Sequence, residues 1–161
     1  MKTASAQLQQ TLQRPRHLRE LGQFVGRALM PDDLISVEET ESLRVQALSV
    51  VRAPSWRCEI PFGDMQSPRF ARLVDALQKA NPSPIYVWTP LSNVCGLLRP
   101  VPLLDVRFNF EFTALPDGIL VILTADFQDQ MLLDFSEGNH AEQLLEVEVS
   151  AGALLGEPFA S

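Results

Sequence analysis

Cysteine, histidine and tyrosine are scarce in this chain, which has two, two and one of them in 161 residues. Cys58 and Cys95 stand alone and far apart. They supply neither a disulfide framework nor the paired spacing of a zinc site, so reduced thiols in a bacterial or other cytosolic setting are expected. No apolar run approaches the ~20 residues of a membrane span, and Met1–Gln10 lacks the apolar stretch of a secretory signal. A glycine-rich phosphate loop is missing too, since Gly118, Gly138, Gly152 and Gly156 occur singly. No cofactor or metal is therefore expected. The most uneven shortage is of positive charge: no lysine follows Lys79, and Arg99 and Arg107 are the last cations.

What is present is acid, and it is concentrated. The net charge is −7; residues 1–80 hold 11 Lys+Arg and 9 Asp+Glu for a net of +2, and residues 81–161 hold 2 and 11 for a net of −9. A field of that sign repels nucleic acid and acidic membrane surfaces and steers a basic protein in. It also serves an ordinary purpose, because charges on strand faces keep sheets soluble and block edge-to-edge pairing. Strand alternation puts Asp105, Glu111, Glu146 and Glu148 on polar faces, while Asp126, Asp129 and Glu137 fall at connections. These seven carboxylates are the candidate partner-binding residues.

The order of elements points to an α+β fold in a single domain, residues 1–161, with early helices followed by an antiparallel meander. A chain of this length can bury roughly 70% of its unfolded surface. Residues 1–15 read as a loose terminus broken by Pro15, followed by a helix over 16–30 with Leu18, Leu21, Val25, Ala28 and Leu29 on its apolar face. Gly22 and Gly26 leave a small-residue strip there. Ser36 and Glu39 form a capping-box pattern before a second helix whose apolar face is Leu43, Ala47, Leu48 and Val51, ending at Ala53-Pro54. Residues 55–61 read as a short strand. Ser67-Pro68 starts the clearest helix, with Phe70, Leu73, Val74 and Leu77 on one face. It is expected to pack on the sheet. Ile85–Thr89 is a β-branched and aromatic strand, and Leu97-Leu98 a brief one. The meander is expected to run from Asp105 to Val149, with strands over 105–113, 119–124, 130–136 and 144–150 and a turn at 115–118. The run 119–124 lacks polar alternation, which predicts cover on both faces, part of it from the first two helices. The tail 151–161 is irregular.

Catalytic chemistry has little to draw on. Cys95, His140 and Asp134 are the right residue types for a nucleophile, base and orienter, but Cys95 has no nucleophile-turn motif around it. Asp126, Asp129 and Asp134 lack the alternating oxygen ligands of a calcium loop, and an Asp-supported turn accounts for the first two. Trp56 and Trp88 suit either core packing or an interface anchor.

The segment Ile85–Gly96, with the run Asp129-Gln-Met-Leu-Leu-Asp-Phe135, sits in a small acidic chain that resembles the immunity proteins of bacterial polymorphic toxin systems in architecture. The resemblance implies a non-catalytic cytoplasmic protein that neutralises a basic toxin domain by covering its active site. It carries over no individual residues. The alternatives are an assembly module that forms a homodimer through its sheet and a small thiol-dependent enzyme.

Overall fold

Helix α3 shows most directly how local sequence becomes structure. In the computed structural model, which describes residues 4–52, 55–61, 68–108, 119–137 and 143–151, α3 runs Pro68–Ala80. Pro68 occupies the first helical position, where a missing N–H leaves no helical bond unmade. Phe70, Leu73, Val74 and Leu77 recur at three- and four-residue spacing and all four are buried. Each such side chain withdrawn from water contributes about 1.5–3 kcal/mol.

The sheet they help to cover has five strands: β1 (Trp56–Pro61), β2 (Ile85–Trp88), β3 (Ile119–Thr124), β4 (Gln130–Glu137) and β5 (Gln143–Ser150). Their spatial order is β1-β5-β4-β3-β2, and every neighbouring pair is antiparallel. The meander β3-β4-β5 therefore fills the middle, and the two earlier strands flank it. Register assigns the side chains to faces. Trp56, Val149, Met131, Ile122 and Val87 form one row across all five strands, and Cys58, Val147, Leu133 and Leu120 form the next. These residues join α3 in a single core, to which α1 (Ala4–Val25) adds Leu21 and Phe24. The class is α+β, as the element order implies.

The first helix departs from expectation. Residues 4–25 form one helix with Pro15 inside it, rather than a loose stretch followed by a helix over 16–30. Pro15 has no N–H for the Thr11 carbonyl, and an internal proline costs about 3 kcal/mol. Packing beyond it outweighs that cost: His17, Glu20, Leu21 and Phe24 follow the i, i+3, i+4, i+7 pattern and are all buried. Two of the four are polar, so hydrophobic periodicity alone misplaces the face. The helix stops at Gly26, whose φ of +64° suits glycine, with Arg27 N donating to Gly22 O at 3.2 Å in the six-to-one bond of a Schellman ending.

Helix α2 (Val37–Ser49) starts as expected, Ser36 Oγ accepting from Glu39 N at 3.0 Å. Its anticipated apolar face is only partly used: Ala47 is buried, but Leu48 is 71% exposed and Val51, beyond the helix, 96%. What anchors α2 is polar. Thr40 Oγ1 donates to Ser36 O at 2.8 Å and accepts from Leu97 N at 2.9 Å, the second of these closed to water. Leu97 belongs to the segment after the short helix α4 (Ser92–Cys95), which lies against both α1 and α2. The brief strand expected at Leu97-Leu98 is a single bridge, Leu34 to Leu98. Gly96 at the turn has φ of +100°, and a methyl group there would overlap the Ile35 carbonyl oxygen.

The strand expected from Asp105 does not start there. Leu103–Asp105 is a turn of 3-10 helix and Val106–Phe108 is irregular. Phe108 turns to the core instead, its ring edge-on to Phe70 at 5.0 Å between centroids. Residues 109–118, and with them the rest of that strand and the turn at 115–118, lie outside the described residues, as do Ser67, His140 and the tail beyond Ala151.

Candidate functional site

The alternation that sends one set of side chains into the core sends the other to the opposite face of the sheet. One row there reads Arg57, Glu148, Leu132, Val121, Trp88 across all five strands. A second reads Glu59, Glu146, Asp134, Ile119 across four. A third reads Gln130, Leu123, Tyr86. The face is thus graded: β1 and β5 present charge, β3 and β2 present apolar and aromatic groups, and β4 joins them.

This open face is where the sequence expectation for β3 fails. Only Leu123 is buried on that side, while Val121 is half-buried and Ile119 is 41% exposed. Cover on both faces is therefore partial. Tyr86 closes over one end by stacking on Phe127 at 6.0 Å and standing edge-on to Trp88 at 6.5 Å. Burial, with the Glu39 carboxylate nearby, pushes the Tyr86 phenol above its usual range.

At the charged end, Arg57 reaches from β1 to both glutamates of β5, its Nη2 lying 2.6 Å from Glu148 Oε2 and its Nη1 3.7 Å from Glu146 Oε1. The arginine is 65% exposed, so the pairs are solvent-screened and contribute at most about 1 kcal/mol. One cation serves two carboxylates, and Glu59 and Asp134 on the same face have no ion-pair partner among the described residues. The local balance is negative. Sequence alternation placed Glu146 and Glu148 on a polar face; Glu59 and Asp134 join them only through the strand order, which pairs Glu59 with Glu146 and Glu146 with Asp134.

Asp126, Asp129 and Asp105 do not share this surface. Asp126 and Asp129 lie in the β3–β4 connection, where Asn81 at the end of α3 donates to Asp126 at 3.2 Å and to Asp129 at 2.7 Å. Burial acts to raise the Asp126 pKa, but hydrogen bonds from Gln128, Thr124 and Asn81 outweigh it and hold the carboxyl below its ordinary range. The pair pins a turn to a helix. Asp105 is exposed next to α3, on the covered side of the sheet. Glu137 closes β4 in the backbone register opposite Gln143. Glu111 lies outside the described residues.

The thiol candidates separate. Cys95 is buried in α4 and Asp134 sits on the open sheet face. Burial raises the Cys95 thiol, Arg14 opposes that, and Glu20 adds to it. The imidazole in this neighbourhood is His17, fully buried, whose Nε2–H donates to Gly96 O at 2.8 Å. Its Nδ1 and the Oε2 of Glu20 have no hydrogen-bond partner among the described residues. Among the described residues no group of three His, Cys, Asp or Glu side chains is placed to hold a metal ion, and no helix is long and apolar enough to cross a membrane.

Two clefts border this architecture. One, of about 940 Å³, runs along the C-terminal half of α1 and is lined by Arg19, Arg27 and Arg107 among others. Arg27 is held by Asp33 at 2.9 Å, and Arg107 lies over Gly26, the close approach that the Gly22/Gly26 strip allows. The other, of about 350 Å³, lies between α2 and the apolar end of the open face, lined by Leu48, Arg52, Trp88, Ile119 and Val121. These parts define an α+β protein with a five-stranded antiparallel sheet, covered on one face and, among the described residues, only partly covered on the other. No protein-family model matches the sequence, and neither a curated protein nor a solved structure matches it.

Proposed function

We propose that this protein is a non-catalytic binding protein that receives a basic protein partner on its open sheet face. The observation that carries this reading is the gathering of Glu59, Glu146, Glu148 and Asp134 on one uncovered face, with Arg57 as the cation among them. The neighbouring Ile119, Val121 and Trp88 supply apolar area, and interfaces of this kind draw affinity from apolar anchors and partner choice from charge. The function that fits is immunity: covering the basic active-site cleft of a toxin domain so that its substrate is excluded.

The test is binding to a basic protein encoded beside this gene, measured at rising salt with the native chain and with Glu146→Lys/Glu148→Lys. Affinity should fall with salt and fall at least tenfold in the double variant, about 1.4 kcal/mol. Binding that ignores both salt and charge reversal, or the lack of any such binding partner, overturns the reading. Exposed Ile119 and Leu48 favour one second reading, a homodimer through the same face. Light scattering that gives a monomer mass at high concentration removes it.

A further inference from the structure

The cleft between α2 and the apolar end of the sheet carries an arginine, Arg52, that a basic partner does not explain. Its walls are Leu48 and Ala47 from α2, Trp88 and Pro90 from the end of β2, and Ile119 and Val121 from β3. Trp88 is held in place, its Nε1 donating to Asn93 Oδ1 at 3.2 Å. Two arginines border this apolar surface, and they differ. Arg44 is gripped by Glu41 through two bonds of 2.8 and 2.7 Å. Arg52 has no acid partner among the described residues: its Nη2 donates to Ala47 O at 3.1 Å, and its Nε is closed to solvent with no acceptor among them. A guanidinium has five N–H donors in a planar fork shaped for a carboxylate. Even partial burial of such a charge without an anion is unfavourable, and burial lowers the pKa of the half-buried Arg52.

We propose that this cleft binds a small amphipathic carboxylate, with the apolar body against Leu48, Val121, Ile119 and Trp88 and the carboxylate on Arg52. The cleft's volume of about 350 Å³ holds about a dozen groups of water size at ~30 Å³ each. Decanoate, with its ten carbons and two oxygens, is that size. The positive charge of Arg52 selects an acid over an alcohol or amine of equal length, and the site works without any protein on the sheet.

Titration calorimetry on the intact chain, with no protein partner present, tests this with decanoate, decanol and decyltrimethylammonium. Decanoate should bind saturably at one per chain, with decanol at least about tenfold weaker, the worth of a charge-assisted hydrogen bond, and the ammonium weaker still. Arg52→Gln should bring decanoate down to the level of decanol and leave decanol unchanged. Leu48→Glu, at a position 71% exposed and therefore safe for folding, places an acid in the cleft and should abolish decanoate binding; it decides the matter if Arg52→Gln does not fold. No saturable decanoate binding, equal affinity for decanol, or decanoate binding unchanged in the variants overturns the proposal. Because no protein partner enters the measurement, its outcome is separate from that of the partner titration above.

Discussion

Mild acid should weaken this protein through one side chain, His17. The imidazole is fully buried, its Nε2–H donates to Gly96 O, and among the described residues its Nδ1 has no acceptor of the kind a second proton would need. Burial holds its pKa below the ordinary value, against the weaker upward pull of the Gly96 bond. Glu20, one turn on along the same buried face, is paired with Arg16 at 2.6 Å. Below an ordinary histidine pKa of about 6.5 the unfolded chain takes a proton that the folded chain refuses. The stability from His17 is therefore complete above about pH 6.5 and lost as pH falls, until the folded-state pKa is reached. Protonation of the unfolded chain limits this loss to at most about 1.4 kcal/mol at pH 5.5, and to at most about 1.4 kcal/mol more per further pH unit. Asp33, Glu41 and Asp126, whose pKa values are lowered, lose their contributions only nearer pH 4 and below. Urea unfolding from pH 7.5 to 5.0 measures the slope, and His17→Gln, which keeps a donor for Gly96, should flatten it. Equal slopes for the two proteins would refute the reasoning.

Three further outcomes follow from packing and hydrogen bonding. Leu133→Ala empties a fully buried position on the central strand β4 and should cost about 2–5 kcal/mol in urea unfolding. Thr40→Val keeps the shape but leaves the buried Leu97 N–H without an acceptor, for a loss of about 1–3 kcal/mol in the same assay. Gly96→Ala forces a side chain into positive φ and against the Ile35 carbonyl, so its melting temperature should fall by more than that of an alanine placed at exposed Leu48.

The elements that could be read from the sequence are those whose local signals agree with one another. Helix α3 has a starting proline, a four-residue apolar face and a closing Asn-Pro, and it appears over 68–80 with that face buried. Strands β3, β4 and β5 appear within a residue or so of their expected ends, and Ser36 caps α2. Helix α1 was obscured because half its buried face is His17 and Glu20, which periodicity counts as solvent-facing. The open face was obscured for a different reason. Glu59 meets Glu146, and Trp88 meets Val121, only because β1 and β2 sit at opposite edges of the sheet, and nothing in a single strand's alternation reports its neighbours. Arg52 carries no local signal either, lying three residues past the end of α2 and becoming part of a cleft through contacts with strands made later in the chain.

That strand order sets a schedule for the growing chain. A ribosome delivers both outer strands, β1 and β2, before any of the three that stand between them. β1 has no partner but β5 among the described strands, so Trp56 waits for Val149 before its ladder can close. Until then its backbone donors and acceptors are open to any passing strand. Pairings so distant in sequence fold slowly, and for this protein the interval of greatest exposure to misassembly falls before the last strand is made.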